Sequence, residues 1–242
     1  MILIYHKTIM WYKCYKQDNK MKGIVFLDID GTTVPYGKSV PEDSILNAME
    51  TLIASDWAIC ISSGRCYRAS VWVFEKLKDK LYFATQNGST IIYKDKIVTP
   101  PKAMDKEDFK QLWAYCKKNN FGLIPEGTFN VYNLGNVSDG VKTILKNQGI
   151  SPICVSDICE ITDLIGQVTV DPSGKPCPVA EINNIWKGKY LAAVCGPGII
   201  DVSTSNKGIG VKTLCEALKA DPASCHSFGD SDNDKTMLEA VG

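Results

Sequence analysis

Three short runs in this 242-residue chain combine residue types that can hold a phosphate group. They are Asp28-Ile29-Asp30-Gly31-Thr32, Ser62-Ser63-Gly64-Arg65 and Gly229-Asp230-Ser231-Asp232-Asn233-Asp234, with Lys207 standing alone ahead of a helical pattern. If Asp28, Asp30, Asp230 and Asp234 converge, each pair of like charges about 4 Å apart costs roughly 4 kcal/mol at an effective dielectric of about 20. Such a cluster needs cations. Carboxylate oxygens with no histidine and no paired cysteine nearby select a hard ion. Mg2+ fits best, because it keeps waters and shares its shell with phosphate oxygens. Lys207 supplies a fixed positive charge. The backbone N–H groups of the Gly31-Thr32 turn, the Ser63 hydroxyl and the Lys207 ammonium can together hold the equatorial oxygens of a phosphoryl group. A carboxylate placed in line can attack phosphorus and form an aspartyl-phosphate. The i, i+2 spacing of Asp28 and Asp30 suggests a division of labour. Asp28 stays ionised as nucleophile, and Asp30 carries the proton for the leaving oxygen and later takes one from water.

The elements that must position these groups follow from the apolar pattern. GIVFLDID (23–30) reads as a buried parallel strand delivering side chains at its carboxyl end. Ile45, Met49, Leu52 and Ile53 recur at helical spacing over 42–54, WAICISS (57–63) is a second buried strand, and 71–77 reads as a helix. This β-α-β-α order implies a parallel sheet with helices on its faces. From about residue 85 the pattern changes to a hairpin turning at Lys94-Asp95. Then come a helix carrying Phe109, Leu112, Trp113 and Cys116, polar-apolar segments rich in Gly and Pro, and a helix over 139–147. GIIDVS (198–203) then reads as a return to the parallel sheet, followed by a helix with Val211, Leu214, Cys215 and Leu218, a short strand (224–228) and a helix with Met237 and Leu238. The expected organisation is an extension over 1–20, a Rossmann-like doubly wound α/β core over 21–85 and 199–242, and an inserted α+β cap over 86–198. In an open parallel sheet, ligands bind at the carboxyl ends of the strands. All three runs therefore point into one site.

Composition excludes other classes. Lys+Arg and Asp+Glu number 27 each, a net charge of zero without the basic excess of a nucleic-acid binder. Apolar stretches reach about eight residues, far below the roughly 20 that span a bilayer. The ten cysteines include no CxxC pair, and several sit in apolar segments, which suits a reduced, cytoplasmic chain. The sequence sets no oligomeric state.

DIDGT, the Ser-Gly-Arg after the second strand, the lysine before the late helix and GDSDND, in that order, resemble the haloacid dehalogenase superfamily. The insertion between the second and third motifs resembles its Cof-type members with an α/β cap, subclass IIB. The resemblance covers about residues 21–242. It implies Asp28 as nucleophile, Asp30 as general acid/base, Ser63 as the phosphate-binding hydroxyl and Lys207 as the neutralising lysine. It implies Asp230 as a Mg2+ ligand beside Asp28 and the Asp30 carbonyl, with Asp234 supporting the metal waters or Lys207. Gly31, Thr32, Gly64, Arg65, Asn87 and Asn233 line the substrate, Asn87-Gly88 corresponding to a hinge-proximal Asn-Gly. Such chains usually continue through another strand and helix beyond the last motif, so one edge of the sheet is expected to be uncovered. The implied activity is a Mg2+-dependent phosphatase acting on a small phosphorylated metabolite, most plausibly a sugar phosphate. A phosphomannomutase-type phosphomutase and a non-catalytic sugar-phosphate-binding fragment are the alternatives.

Other readings fail on spacing. An EF-hand in either acidic loop would need a glutamate where Ser39 or Val241 stands. Gly174-Lys175 lacks the earlier glycine of a phosphate loop, and Gly208-x-Gly210 lacks the third glycine of a dinucleotide fold. Cys154 and Cys159 have no second metal-ligating pair. The Trp113 stripe reads as packing, and His6 and His226 lie away from the motifs. Ser62 competes with Ser63, and the resemblance favours Ser63.

Overall fold

The computed structural model describes residues 21–242 apart from 187 and 197; the extension expected over 1–20 lies outside them. In chain order the elements begin with β1 (Gly23–Leu27), α1 (Asp43–Ala54), β2 (Trp57–Ser62), α2 (Tyr67–Val73), β3 (Tyr82–Thr85), β4 (Thr90–Tyr93) and β5 (Lys96–Ile97). There follow α3 (Lys106–Asn119), β6 (Gly122–Gly127), β7 (Tyr132–Gly135), α4 (Asp139–Asn147), β8 (Ile153–Val155), β9 (Ile165–Asp171) and α5 (Val179–Trp186). The chain closes with β10 (Leu191–Val194), β11 (Ile200–Ser203), α6 (Lys207–Leu218), β12 (His226–Phe228) and α7 (Lys235–Leu238).

The first sheet runs β12-β1-β2-β3-β4-β5, parallel through its first four strands. Ile24 and Phe26 of β1 pack with Val211, Leu214 and Met237 on one face; on the other, Ile59 and Ile61 of β2 pack with Met49 and Val73. Both faces are covered, which is why these strands read as continuous apolar runs. β1 stops at Leu27 rather than Asp30. Asp28–Asp30 leave the ladder for a turn in which the Gly31 N–H donates to the Val34 carbonyl (2.9 Å) and the Val34 N–H to the Ile29 carbonyl (2.8 Å). The helix expected at 71–77 begins earlier, at Tyr67, and Glu75–Lys80 forms a 3-10 helix beyond Phe74. β12 lies at the sheet edge, with His226 and Phe228 exposed.

Three strands sit on the other side of the expected boundaries. The β4–β5 hairpin falls within the expected 86–198 insertion, yet β4 pairs antiparallel with β3 and extends the first sheet. Gln86, Asn87 and Gly88, with φ of 54°, 53° and 83°, reverse the chain at once and leave β4 no other partner. At its far end Lys94 and Asp95 (φ 50° and 57°) make the expected turn, with the two left-handed residues of a type I′ hairpin. β11, expected as a parallel core strand, instead pairs antiparallel with β9 and β10 in the second sheet. Ile200 and Val202 enter the apolar core of that sheet, while Asp201 and Ser203 alternate onto its other face. That period of two belongs to a strand packed on one side.

The second sheet runs β10-β11-β9-β6-β7-β8. One face packs against Phe109, Leu112 and Cys116 of α3 and Ile182 of α5, with Trp113 packed at the edge of this core. On the opposite face, Ile124 joins Val131, Val137 and Val141 in a cluster with Cys66, just ahead of α2, and Ala69 within it. The second sheet is thereby docked on α2, directly beside the Ser63-Gly64-Arg65 loop.

Candidate active site

The turns after β1, β2 and β12 and the amino end of α6 meet at one end of the parallel sheet. Lys207, the first residue of α6, is fully buried. Its Nζ donates to Asp28 Oδ1 and to Asp234 Oδ1, each at 2.6 Å. Asn206 caps this helix, its side chain accepting the Ile209 N–H at 2.9 Å, which fixes where the lysine enters the core. Burial pushes the Asp28 carboxyl above its usual range, and the Lys207 charge opposes that rise.

Asp234 has both oxygens engaged. Oδ2 accepts from the backbone N–H groups of Asp230 (3.1 Å) and Ser231 (3.0 Å), so Asp234 holds the loop as well as the lysine. Asp230 is on the solvent side, accepting from Thr32 Oγ1 (3.1 Å) and Tyr36 Oη (2.7 Å). Gly31 lies against it at φ 82°, where a side chain would be strained and its Cβ would strike the Asp230 carboxylate.

Asp28, Asp230 and Asp234 each offer a carboxylate oxygen, and these atoms lie within 4.8 Å of one another. An all-oxygen donor set suits a hard divalent cation. The charge agrees: three carboxylates against the one Lys207 ammonium leave −2. Asp28 and Asp230 are the freer donors, since Asp234 is already spent on Lys207 and the loop.

Asp30 lies outside this trio. Its carboxylate is gripped by the Arg65 fork, Nε to Oδ2 at 2.9 Å and Nη2 to Oδ1 at 2.6 Å. Ser63 is buried, and its Oγ accepts the Arg65 N–H at 3.1 Å. Ser62 is fully buried with an unpartnered Oγ. Asn87 donates to Gln167 Oε1 (3.0 Å) and accepts from Asn233 Nδ2 (3.3 Å).

Three residues that the motifs do not mark also belong here. Gln167 of β9 donates to the Gly64 carbonyl at 3.0 Å, tying the second sheet to the loop after β2. Tyr36 covers Asp230, and Glu126 on β6 is the register partner of Gln167. The signal for Gln167 was the alternation Gln167-Val168-Thr169-Val170, which turns polar groups to one face. Cys154 and Cys159 are exposed thiols and join no group of metal-ligating residues among the described residues. His226 packs against Trp57, with ring centroids 5.3 Å apart.

A doubly wound sheet with a lysine-bridged carboxylate cluster at the carboxyl ends of its strands defines an α/β enzyme of phosphoryl chemistry. The chain belongs to the haloacid dehalogenase-like hydrolases, whose family profile matches residues 25–242, and is thereby a phosphoric monoester hydrolase. It is 22% identical over 232 residues to the 5-amino-6-(5-phospho-D-ribitylamino)uracil phosphatase of Bacillus subtilis, covering 90% of this chain and 84% of that protein. Its fold is similar to that of a subclass IIB sugar phosphatase of the superfamily, with a TM-score of 0.77 at 21% identity over 90% of this chain and 85% of the other. A haloacid dehalogenase-like hydrolase from Bacillus subtilis superposes with a TM-score of 0.78 at 17% identity, over 91% of this chain and 87% of the other. No helix of the described residues is long and apolar enough to cross a membrane.

Proposed function

We propose that this protein is a Mg2+-dependent phosphatase that hydrolyses a small phosphorylated metabolite of the sugar phosphate class through a phospho-Asp28 intermediate. The observation that carries the reading is the buried Asp28–Lys207–Asp234 bridge beside Asp230. The two similar phosphatases act on a ribityl phosphate and on sugar phosphates, which supports the substrate class. The nine described cysteines are free thiols, which suits a reducing, cytoplasmic setting.

In this reading an Asp28 oxygen attacks phosphorus, the ester P–O bond breaks, and the leaving oxygen takes a proton from Asp30. Water then attacks the phosphoryl group, Asp30 takes its proton, the Asp28–phosphorus bond breaks, and inorganic phosphate departs. Asp30 can do this only after leaving the Arg65 fork, and an incoming phosphoryl group is an alternative partner for that guanidinium. Ser63, the Thr32 backbone N–H and Lys207 hold the non-bridging oxygens, the Gly31 N–H being committed to the Val34 carbonyl. Asp28 and Asp230 would hold Mg2+, which supplies charge neutralisation for the phosphoryl oxygens when bound.

A panel of phosphate esters assayed for phosphate release, with Mg2+ and with a chelator, tests the activity. A mutase would return an isomeric phosphate ester instead. Asp28→Asn keeps the shape of the Lys207 partner, and is expected to abolish turnover while leaving the circular dichroism spectrum unchanged. Substantial hydrolysis by that variant would sink the nucleophile assignment.

A further inference from the structure

The face of the second sheet turned toward the catalytic loops is polar, and the reaction above leaves much of it unused. On β9, Gln167 and Thr169 share this face. Their register partners are Glu126 and Ile124 on β6, and Ser203 and Asp201 on β11. Gln167 fixes the position of the whole face. Its Nε2 donates to the Gly64 carbonyl, and its Oε1 accepts from Asn87 Nδ2 (3.0 Å) and Ser203 Oγ (2.7 Å). Glu126 and Asp201 therefore stand one strand position from residues that touch the phosphate-binding loop.

One oxygen of this acidic pair is short of a partner. Glu126 is only 8% exposed, yet its Oε2 is buried without a hydrogen bond. Thr169 Oγ1 stands between the two, 2.5 Å from Asp201 Oδ1 and 3.4 Å from Glu126 Oε1, and Cys195 also reaches the Asp201 carboxyl. No lysine, arginine or histidine among the described residues forms an ion pair with either acid. Burial first, and then the neighbouring Asp201 charge, push the Glu126 carboxyl well above its usual range, and burial raises Asp201 too. A buried, unpartnered Glu126 oxygen beside the Asp201 carboxyl, with no positive charge paired to either acid, is costly, and a ligand carrying both a charge and a donor relieves that cost.

A protonated amine supplies one positive charge and up to three N–H donors, whereas a sugar hydroxyl supplies a donor and no charge. We infer that Glu126 and Asp201 form the leaving-group subsite for a phosphate monoester bearing a protonated amine, with Gln167 anchoring that subsite to the Gly64 loop. The inference rests on the phosphatase reading and narrows its substrate class to amine-bearing phosphate esters.

Matched esters test it. Glucosamine 6-phosphate and glucose 6-phosphate differ by an amine for a hydroxyl, as do phosphoethanolamine and 2-hydroxyethyl phosphate. In the unmodified protein, kcat/KM is expected to favour the amine member of at least one pair by about thirtyfold, the lower end for a buried charge pair. In Glu126→Gln or Asp201→Asn the ratio should fall to within about threefold. Because each ratio is taken within one protein, losses from altered folding or general catalysis cancel. No amine preference in either pair, or a preference that survives both substitutions, overturns the inference. Hydrolysis of p-nitrophenyl phosphate with Mg2+ tests the phosphatase reading separately. If that ester is not cleaved, calorimetric affinities for the same two pairs decide the amine inference by the same ratios.

Discussion

Replacing Lys207 by methionine removes the ammonium at the centre of the site while keeping an unbranched side chain of similar reach. Lys207 is fully buried and makes two ion pairs of 2.6 Å, to Asp28 and Asp234. Deleting one partner of a buried ion pair costs about 3–5 kcal/mol, because a buried charge is left uncompensated. Against a total stability of about 5–15 kcal/mol, that is a large fraction. The loss should also depend on pH. Burial already lifts Asp28 above its usual value of 3.8 and Lys207 holds it down, so without the lysine its folded-state value climbs further. A carboxyl raised in the folded state binds its proton more tightly there. The stability it withholds at neutral pH therefore returns as pH falls toward the unfolded value. Urea denaturation of both proteins in chelator, at about pH 7.5 and about pH 5.5, should show a gap that is widest near neutrality and narrows on acidification. Turnover should fall by about 10²-fold or more, since a preorganised charge at the phosphoryl group is lost. A neutral-pH gap below about 1 kcal/mol, or one indifferent to pH, would refute the claim that Lys207 compensates these carboxylates.

Two further substitutions probe how the site is positioned. Gln167→Leu removes the donor to the Gly64 carbonyl and the acceptor for Asn87. It should cost about 1–3 kcal/mol, speed amide exchange at residues 63–66 and raise KM, and unchanged exchange there would mean that the contact does not hold the loop. Gly88→Ala places a Cβ 2.8 Å from Gly210 Cα and 2.9 Å from the Asn206 carbonyl, at φ 83°. It should destabilise by about 1–3 kcal/mol and lower kcat by shifting the start of α6, which denaturation and kinetics check together.

Asp28, Asp30, Asp230 and Lys207 are legible in the sequence because each lies at or near a strand end or at a helix start, and one topological rule gathers those ends. Their individual partners are not legible. Arg65 with Asp30, Gln167 with Gly64 and Tyr36 with Asp230 are separated by 35, 103 and 194 residues, and no local periodicity encodes such contacts. The strand exchanges have a related cause. Ile200-Asp201-Val202-Ser203 carries alternation that marks a one-sided strand, but four residues fit either sheet until β9 is seen beside them. Thr90-Ile91-Ile92-Tyr93 is apolar enough for either sheet as well, and only the left-handed run at 86–88 commits it to β3.

The chain's net charge of zero conceals a local imbalance that decides what the site can bind. Asp28, Asp30, Asp230 and Asp234 contribute −4, and Lys207 and Arg65 contribute +2, leaving −2 where the substrate must enter. A phosphate dianion gains nothing from that field until a divalent charge has been added, so the acidic excess itself argues for a cation-dependent reaction. The second sheet adds another acidic pair, buried Glu126 and half-buried Asp201, on the face shared by Thr169 and Gln167. The same deficit at two depths asks for two different cations, one hard and water-bearing at the phosphoryl end and one carried by the leaving group. The substrate inferred above matches both demands, with phosphate at one end and ammonium at the other.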